Sequence, residues 1–230
     1  MSRIVLLHAG IADARMWQRQ AALLCENGHD VVAPDLPGFG TEPAPQEPFP
    51  IVERAAPLLP GVLVGNSFGG LVALETALAH PDAVEKLVLV DPALRDHEWS
   101  DEMENYWARE EELLAEQRLD EATELTVATL TLPHVHETIR PMQRRAYELQ
   151  ADGADAVWPP SQPLTELRAP TLVLVGEHDL SDFHEIGARI AREAPSARLE
   201  IVRGAKHVPS LEAPEHFERA LLDFLASTDG

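Results

Sequence analysis

Ser67, Asp179 and His207 are the side chains of this sequence whose types and order could supply a nucleophile, an orienting acid and a base. A serine hydroxyl attacks a carbonyl only when an imidazole takes its proton and a carboxylate holds that imidazole in the right tautomer. Ser67 lies in Gly65-Asn66-Ser67-Phe68-Gly69, between the apolar run Val62-Leu63-Val64 and a helical pattern over 71–79. Strand, sharp turn and helix is the setting that gives Gly-x-Ser-x-Gly its meaning. Its glycines let backbone approach where a Cβ would clash. The turn lifts the hydroxyl clear of the sheet and sets the next amides at a helix N-terminus, where an oxyanion is stabilised. Asp179 and His207 follow two later apolar runs, in Gly176-Glu177-His178-Asp179 and Gly204-Ala205-Lys206-His207-Val208-Pro209. Open parallel sheets place their sites at such strand ends. Asp91 also ends an apolar run and competes for the acid's role. Chain order favours Asp179, and Asp91 precedes Pro92, a dipeptide suited to a turn. Glu177 and Asp182 are weaker alternatives. His8 reads as a brace for the loop after the first strand, and Asp35 as a turn acceptor.

The elements that must position these residues alternate between strand and helix. Short apolar runs at 4–7, 31–33, 61–66, 86–90 and 171–176 read as buried strands. The run at 198–202 alternates, which suits an edge. A helix is expected to end near Asn27, with Gly28 as its stop. Another spans about 214–226, where Pro214 is a natural first residue and Phe217, Ala220, Leu221, Phe224 and Leu225 share a face. Residues 41–60 carry six prolines, leaving room for a short helix near 51–56. This order predicts an α/β fold: a mostly parallel sheet of about six strands, covered by helices on both faces.

Between the fourth and fifth strands the texture changes. Residues 96–124 hold twelve acidic residues and two arginines, Arg109 and Arg118. We read residues 95–159 as a helical lid inserted into a core of 1–94 and 160–230. Met103, Tyr106, Trp107, Leu113 and Leu114 form one stripe, and Ile139, Met142, Ala146 and Leu149 a second. Such stripes pack, and in a lid they also roof a site. Glu110 falls within the first stripe and reads as a solvated side chain, the alternative being a carboxylate facing the pocket. Arg140, Arg144 and Arg145 read as a solvated face.

The 230 residues suit one such domain with an insert. A net charge of −21 opposes binding to nucleic acid or an anionic membrane. Cys25 is the single cysteine, so no intramolecular disulfide forms, and nothing argues for export. No signal-like or membrane-length apolar run is seen. A soluble cytoplasmic protein is expected, of oligomeric state the sequence leaves open.

Five motifs together resemble the α/β-hydrolase superfamily, in its branch of small esterases, enol-lactonases and cofactor-free perhydrolases. They are the stretch from Leu6-Leu7-His8-Ala9-Gly10-Ile11 to Trp17, Asp35-Leu36-Pro37-Gly38-Phe39-Gly40, Gly65–Gly70, Gly176–Asp179 and His207–Phe217. The resemblance implies that Asp179 and His207 complete a triad with Ser67, and that the amides of Phe68 and Gly10 form the oxyanion hole. Ala9 stands where the family usually has glycine. The chain lacks residues for two strands that many members carry before the first one here, so a reduced sheet is expected.

The first expectation is therefore a carboxylesterase- or lactonase-like serine hydrolase acting on a small ester, thioester or lactone. Ile11, Met103, Trp107 and Val208 are the candidate substrate contacts. No cofactor or metal is implied, since no histidine pair flanks a catalytic carboxylate. The same triad would serve a carbon–carbon bond hydrolase, a lyase or a perhydrolase, and the scaffold could also serve a non-catalytic binding protein.

Overall fold

The computed structural model of the chain describes residues 2–227. Six parallel strands make the central sheet: β1 (Arg3–Leu7), β2 (Asp30–Val32), β4 (Gly61–Asn66), β5 (Val84–Val90), β7 (Thr171–Gly176) and β8 (Ala197–Val202). They lie in the order β2-β1-β4-β5-β7-β8. Parallel neighbours need crossovers, supplied among others by α1 (Gln18–Glu26), α2 (Phe68–Ala79) and α6 (Ser181–Glu193). Every residue of β4 and β7 is buried. Because successive side chains point to opposite faces, both faces are covered there. β8 lies at the edge, as its alternation predicts.

The sheet is anchored at its base by Lys86. Its ammonium donates to Phe224 O at 2.8 Å and Ser227 O at 2.6 Å, at the end of the helix Pro214–Ala226. A lysine there satisfies carbonyls that lack intrahelical partners and complements the helix dipole. The two glycines around Ser67 are dictated by packing. A Cβ on Gly65 would overlap Gly69 O, and one on Gly69 would overlap the carbonyls of Leu7 and His8. α2 can therefore lie directly on β4 and β1 only without those Cβ atoms.

Three helices follow β5: α3 (Asp101–Ala115), α4 (Leu119–Leu130) and α5 (His136–Gln150). Ser100 caps α3 by accepting from Met103 N, with Asp101, Glu102 and Glu104 in the first turn. Ser100 also donates its N–H and hydroxyl to Asp182 at 2.7 Å each, which ties the insert's start to α6. Gln117, at φ 59, breaks α3 from α4. The proline-rich stretch departs from the expected helix. Two 3-10 turns occupy Ile51–Arg54 and Ala56–Leu58, and β3 (Phe49–Pro50) pairs with β6 (Ala156–Val157). No helix among the described residues is long and apolar enough to cross a membrane.

Candidate active site

Ser67 sits at φ 53, ψ −112, between β4 and α2. Non-glycine residues rarely adopt a positive φ, and such strain persists only where the surroundings enforce it. Here Ser67 N donates to Val90 O at 2.8 Å, and Ser67 O accepts from Leu71 N at 2.9 Å. The hydroxyl faces a cavity of about 310 Å³, whose lining includes Gly10, Ile11, Phe68, Trp99, Met103, Trp107, Glu110 and His207. Phe68 is the first residue of α2, so its amide has no intrahelical acceptor. Gly10 N donates to no described residue. Two free amides thus border the cavity beside the serine.

His207 and Asp179 are both buried. His207 Nδ1 bonds Asp179 Oδ2 at 2.7 Å. Asp179 Oδ1 accepts from Leu180 N at 2.9 Å, which fixes the carboxylate's second oxygen. Since Asp179 accepts, Nδ1 carries the proton and Nε2 is left as the basic nitrogen. Nε2 makes no hydrogen bond with a described residue, Ser67 included; such bonds commonly tighten only when substrate binds. The His207 ring packs on Phe183 at 4.3 Å between centroids, and Phe183 continues into Trp99 and Trp107.

Asp91 lies against this pair without touching the histidine ring in a hydrogen bond. Its Oδ1 accepts from Gly176 N at 2.9 Å, and its Oδ2 has no partner. Burial pushes its carboxyl well above the usual carboxylate range, and the negative charge of Asp179 pushes it the same way. A protonated Asp91 can donate where an ionised one would be repelled. Asp91, Asp179 and His207 offer atoms within 4.8 Å of one another.

Two positioning contacts escaped the sequence reading. Asn66 Nδ2 donates to Val90 O at 3.0 Å and to His207 O at 3.1 Å, so the residue before the serine holds the histidine's backbone. Glu212 Oε2 accepts from Lys206 N at 2.6 Å and Val208 N at 3.2 Å, while its Oε1 accepts from Leu132 N at 2.7 Å. Burial pushes the Glu212 carboxyl up, against those three donors. A glutamate five residues after His207 was visible in the sequence, but its partner in the insert was not.

His8 is buried, and burial lowers its pKa. Its Nε2 accepts from Leu36 N at 2.9 Å and its Nδ1 contacts Ala9 O at 2.9 Å, so the neutral Nδ1–H tautomer satisfies both. It joins the loop holding Gly10 to the loop after β2, where Asp35 accepts from Ala14 N, Thr41 N and Thr41 Oγ1.

Ile11, Met103 and Trp107 line the cavity. Val208 does not: its apolar side chain is fully buried in the hydrophobic core. Glu110, read as a solvated residue, lines the cavity instead. Arg140, Arg144 and Arg145 lie outside it and pair with Glu124, Asp120 and Glu148 among others. Trp99, Gln143, Tyr147 and Phe183 are also part of the wall; their scatter along the chain hid them.

Residues 4–220 match the alpha/beta hydrolase family. The chain belongs to that family. Its relatives include the 2-hydroxy-6-oxo-2,4-heptadienoate hydrolase of Pseudomonas putida, 26% identical over 98% of this chain and 90% of that protein. The pimeloyl-[acyl-carrier protein] methyl ester esterase of Chromobacterium violaceum is 29% identical over 95% of this chain and 90% of the esterase. Among solved structures, the enol-lactonase of Burkholderia xenovorans LB400 superposes with a TM-score of 0.74 at 23% identity, over 98% of this chain and 92% of the lactonase. With the family match and with a hydrolase and an esterase among its relatives, the protein is an alpha/beta-hydrolase enzyme.

Proposed function

We propose that this hydrolase cleaves a small carboxylic ester, thioester or lactone through an acyl-enzyme on Ser67. The observation that carries the reading is the buried 2.7 Å Asp179–His207 bond, which leaves Nε2 basic at the cavity that Ser67 faces. In the first step Ser67 Oγ attacks the carbonyl carbon as His207 Nε2 takes its proton. The amides of Phe68 and Gly10 bind the developing oxyanion. Collapse expels the alcohol, which takes the proton from His207. Water then attacks the acyl-enzyme, again giving a proton to His207, and Ser67 leaves with it. Asp179 holds the tautomer and stabilises the imidazolium.

Residues 95–159 act as a lid on a core of 1–94 and 160–230. A second recess of about 400 Å³, lined by Pro37, Phe39 and Phe49 among others, shares Gly10, Phe68 and Gln150 with the first. Two recesses meeting at the oxyanion amides suit the two halves of an ester. The lone cysteine suits a cytoplasmic enzyme.

The test is hydrolysis of p-nitrophenyl acetate, butyrate and octanoate by wild type and Ser67→Ala, with fluorophosphonate labelling. Turnover and labelling that both vanish in the variant support the reading. Labelling without turnover would move the substrate to lactones, thioesters or vinylogous diketones. Absence of both would sink the serine mechanism. Carbon–carbon cleavage is the second reading, favoured by the heptadienoate hydrolase among the relatives. A product assay on a vinylogous diketone separates the two.

A further inference from the structure

We propose that the lid end of the Ser67 cavity is a cation subsite, and that the preferred substrate carries a protonated amine on its acyl part. This deepens the ester-hydrolase reading and rests on it.

Glu110 projects from α3 into the cavity. Its Oε1 accepts from Tyr106 OH at 2.7 Å, from Thr126 Oγ1 at 2.9 Å and from Tyr147 OH, so α3, α4 and α5 each contribute a donor. Its Oε2 receives no hydrogen bond from a described residue. The carboxylate is thus saturated on one oxygen and open on the other. The two tyrosines remain donors: burial, and then the Glu110 charge, push both hydroxyls well above the ordinary tyrosine value.

A second observation comes from a different helix. Gln143, on α5, lines the same cavity and is only 4% exposed. Its Oε1 has no hydrogen-bond partner. Buried side-chain acceptors are nearly always satisfied, by protein, water or ligand. Two residues of the cavity wall thus each carry an acceptor oxygen that no described residue donates to.

No lysine or arginine is among the described residues that line it. An ammonium group supplies three donors and no acceptor, which is what this end lacks. Trp99 and Trp107, 4.9 Å apart between centroids, add aromatic faces that attract a cation. A substrate carboxylate would meet Glu110 with like charge and find no basic partner. The apolar half of the ester is left to the recess at Pro37, Phe39 and Phe49.

The test uses p-nitrophenyl esters of similar length: 6-aminohexanoate, heptanoate and the adipate monoester. In wild type, kcat/KM for the aminohexanoate should exceed that for heptanoate by about tenfold or more, as expected of a hydrogen-bonded charged group. The adipate ester should be the poorest. In Glu110→Gln the ratio of aminohexanoate to heptanoate should fall toward one. A purely structural Glu110, tying three helices together, would lower both esters and leave the ratio unchanged, which overturns the proposal. Gln143→Leu provides a second variant and should lower the ratio by about threefold. The preference should persist in about 0.5 M salt, where the field of the acidic surface is screened; its disappearance there would assign it to that surface. Binding to Ser67→Ala, followed by tryptophan fluorescence, reads the subsite without turnover. If that variant binds the amino ester no tighter than the adipate ester, the subsite is refuted even where hydrolysis stands. If wild type turns over none of the esters yet Ser67→Ala prefers the amino ester, the hydrolase reading fails and the subsite survives.

Discussion

Around Ser67, contacts between backbones fix the geometry. Added Cβ atoms on Gly65 or Gly69 would overlap carbonyls of Gly69, Leu7 and His8, and the serine is held at a positive φ. In the insert, side chains fix the geometry. α3, α4 and α5 meet through the Glu110, Tyr106, Thr126 and Tyr147 hydroxyl cluster and a small apolar cluster of Leu113, Ala122 and Tyr147. Backbone contacts leave almost no room for variation, whereas side-chain contacts can be exchanged singly while the helices persist. The strained turn of Ser67 therefore sits on the constrained half, and the cavity wall formed by Tyr106, Glu110 and Tyr147 sits on the adjustable half.

The largest effect is expected at the serine. Ser67→Ala should lower p-nitrophenyl butyrate hydrolysis by about 10⁴-fold or more with the circular dichroism spectrum unchanged. Retention of a tenth of the activity would remove Ser67 from the chemistry. Gly69→Ala should lose about 3 kcal/mol or more in urea unfolding, because backbone carbonyls cannot yield to the new methyl. A loss below 1 kcal/mol would show that the turn yields to the added methyl.

Between the halves, Glu212→Gln keeps the shape but replaces an acceptor oxygen by a donor opposite either Leu132 N or the amides of Lys206 and Val208. A decrease in kcat of about tenfold is expected from the misplaced His207 loop, with KM changing less. Asp91→Asn sharpens the charge assignment. The raised native pKa of Asp91 contributes stability that is full below the ordinary aspartate value of about 3.9 and is lost as pH rises through the raised value. Urea unfolding across pH should show wild-type stability falling over that window, with the fall reduced in the variant; identical slopes would refute a protonated Asp91. Arg144→Ala, on the insert's outer face, should change stability by no more than about 0.5 kcal/mol and leave hydrolysis unaltered.

What could be read from the sequence follows the same division. The six strands, the turn at Ser67 and the loops of Asp179 and His207 were legible because each is announced locally, by an apolar run ending in glycine or a polar residue. The insert was legible as helical but not as three helices. The break at Gln117 carries neither glycine nor proline, and only its φ of 59 marks it. Glu110 was misread because its partners Thr126 and Tyr147 lie 16 and 37 residues away. Val208 was misread because proximity to His207 in sequence does not fix which way a side chain turns. The β3–β6 pair is two residues long on each side and includes Pro50, so neither periodicity nor propensity could reveal it.

Glu212 bears on how this enzyme can be re-engineered. One carboxylate grips the backbone of the histidine loop with one oxygen and the insert at Leu132 with the other. Residues 95–159 are therefore not a freely exchangeable cassette. A chimaera that borrows a relative's helices to change substrate range must still offer an amide opposite Oε1. Without it, the graft leaves a buried acceptor unfilled, and the lost alignment falls on His207 rather than on the new pocket.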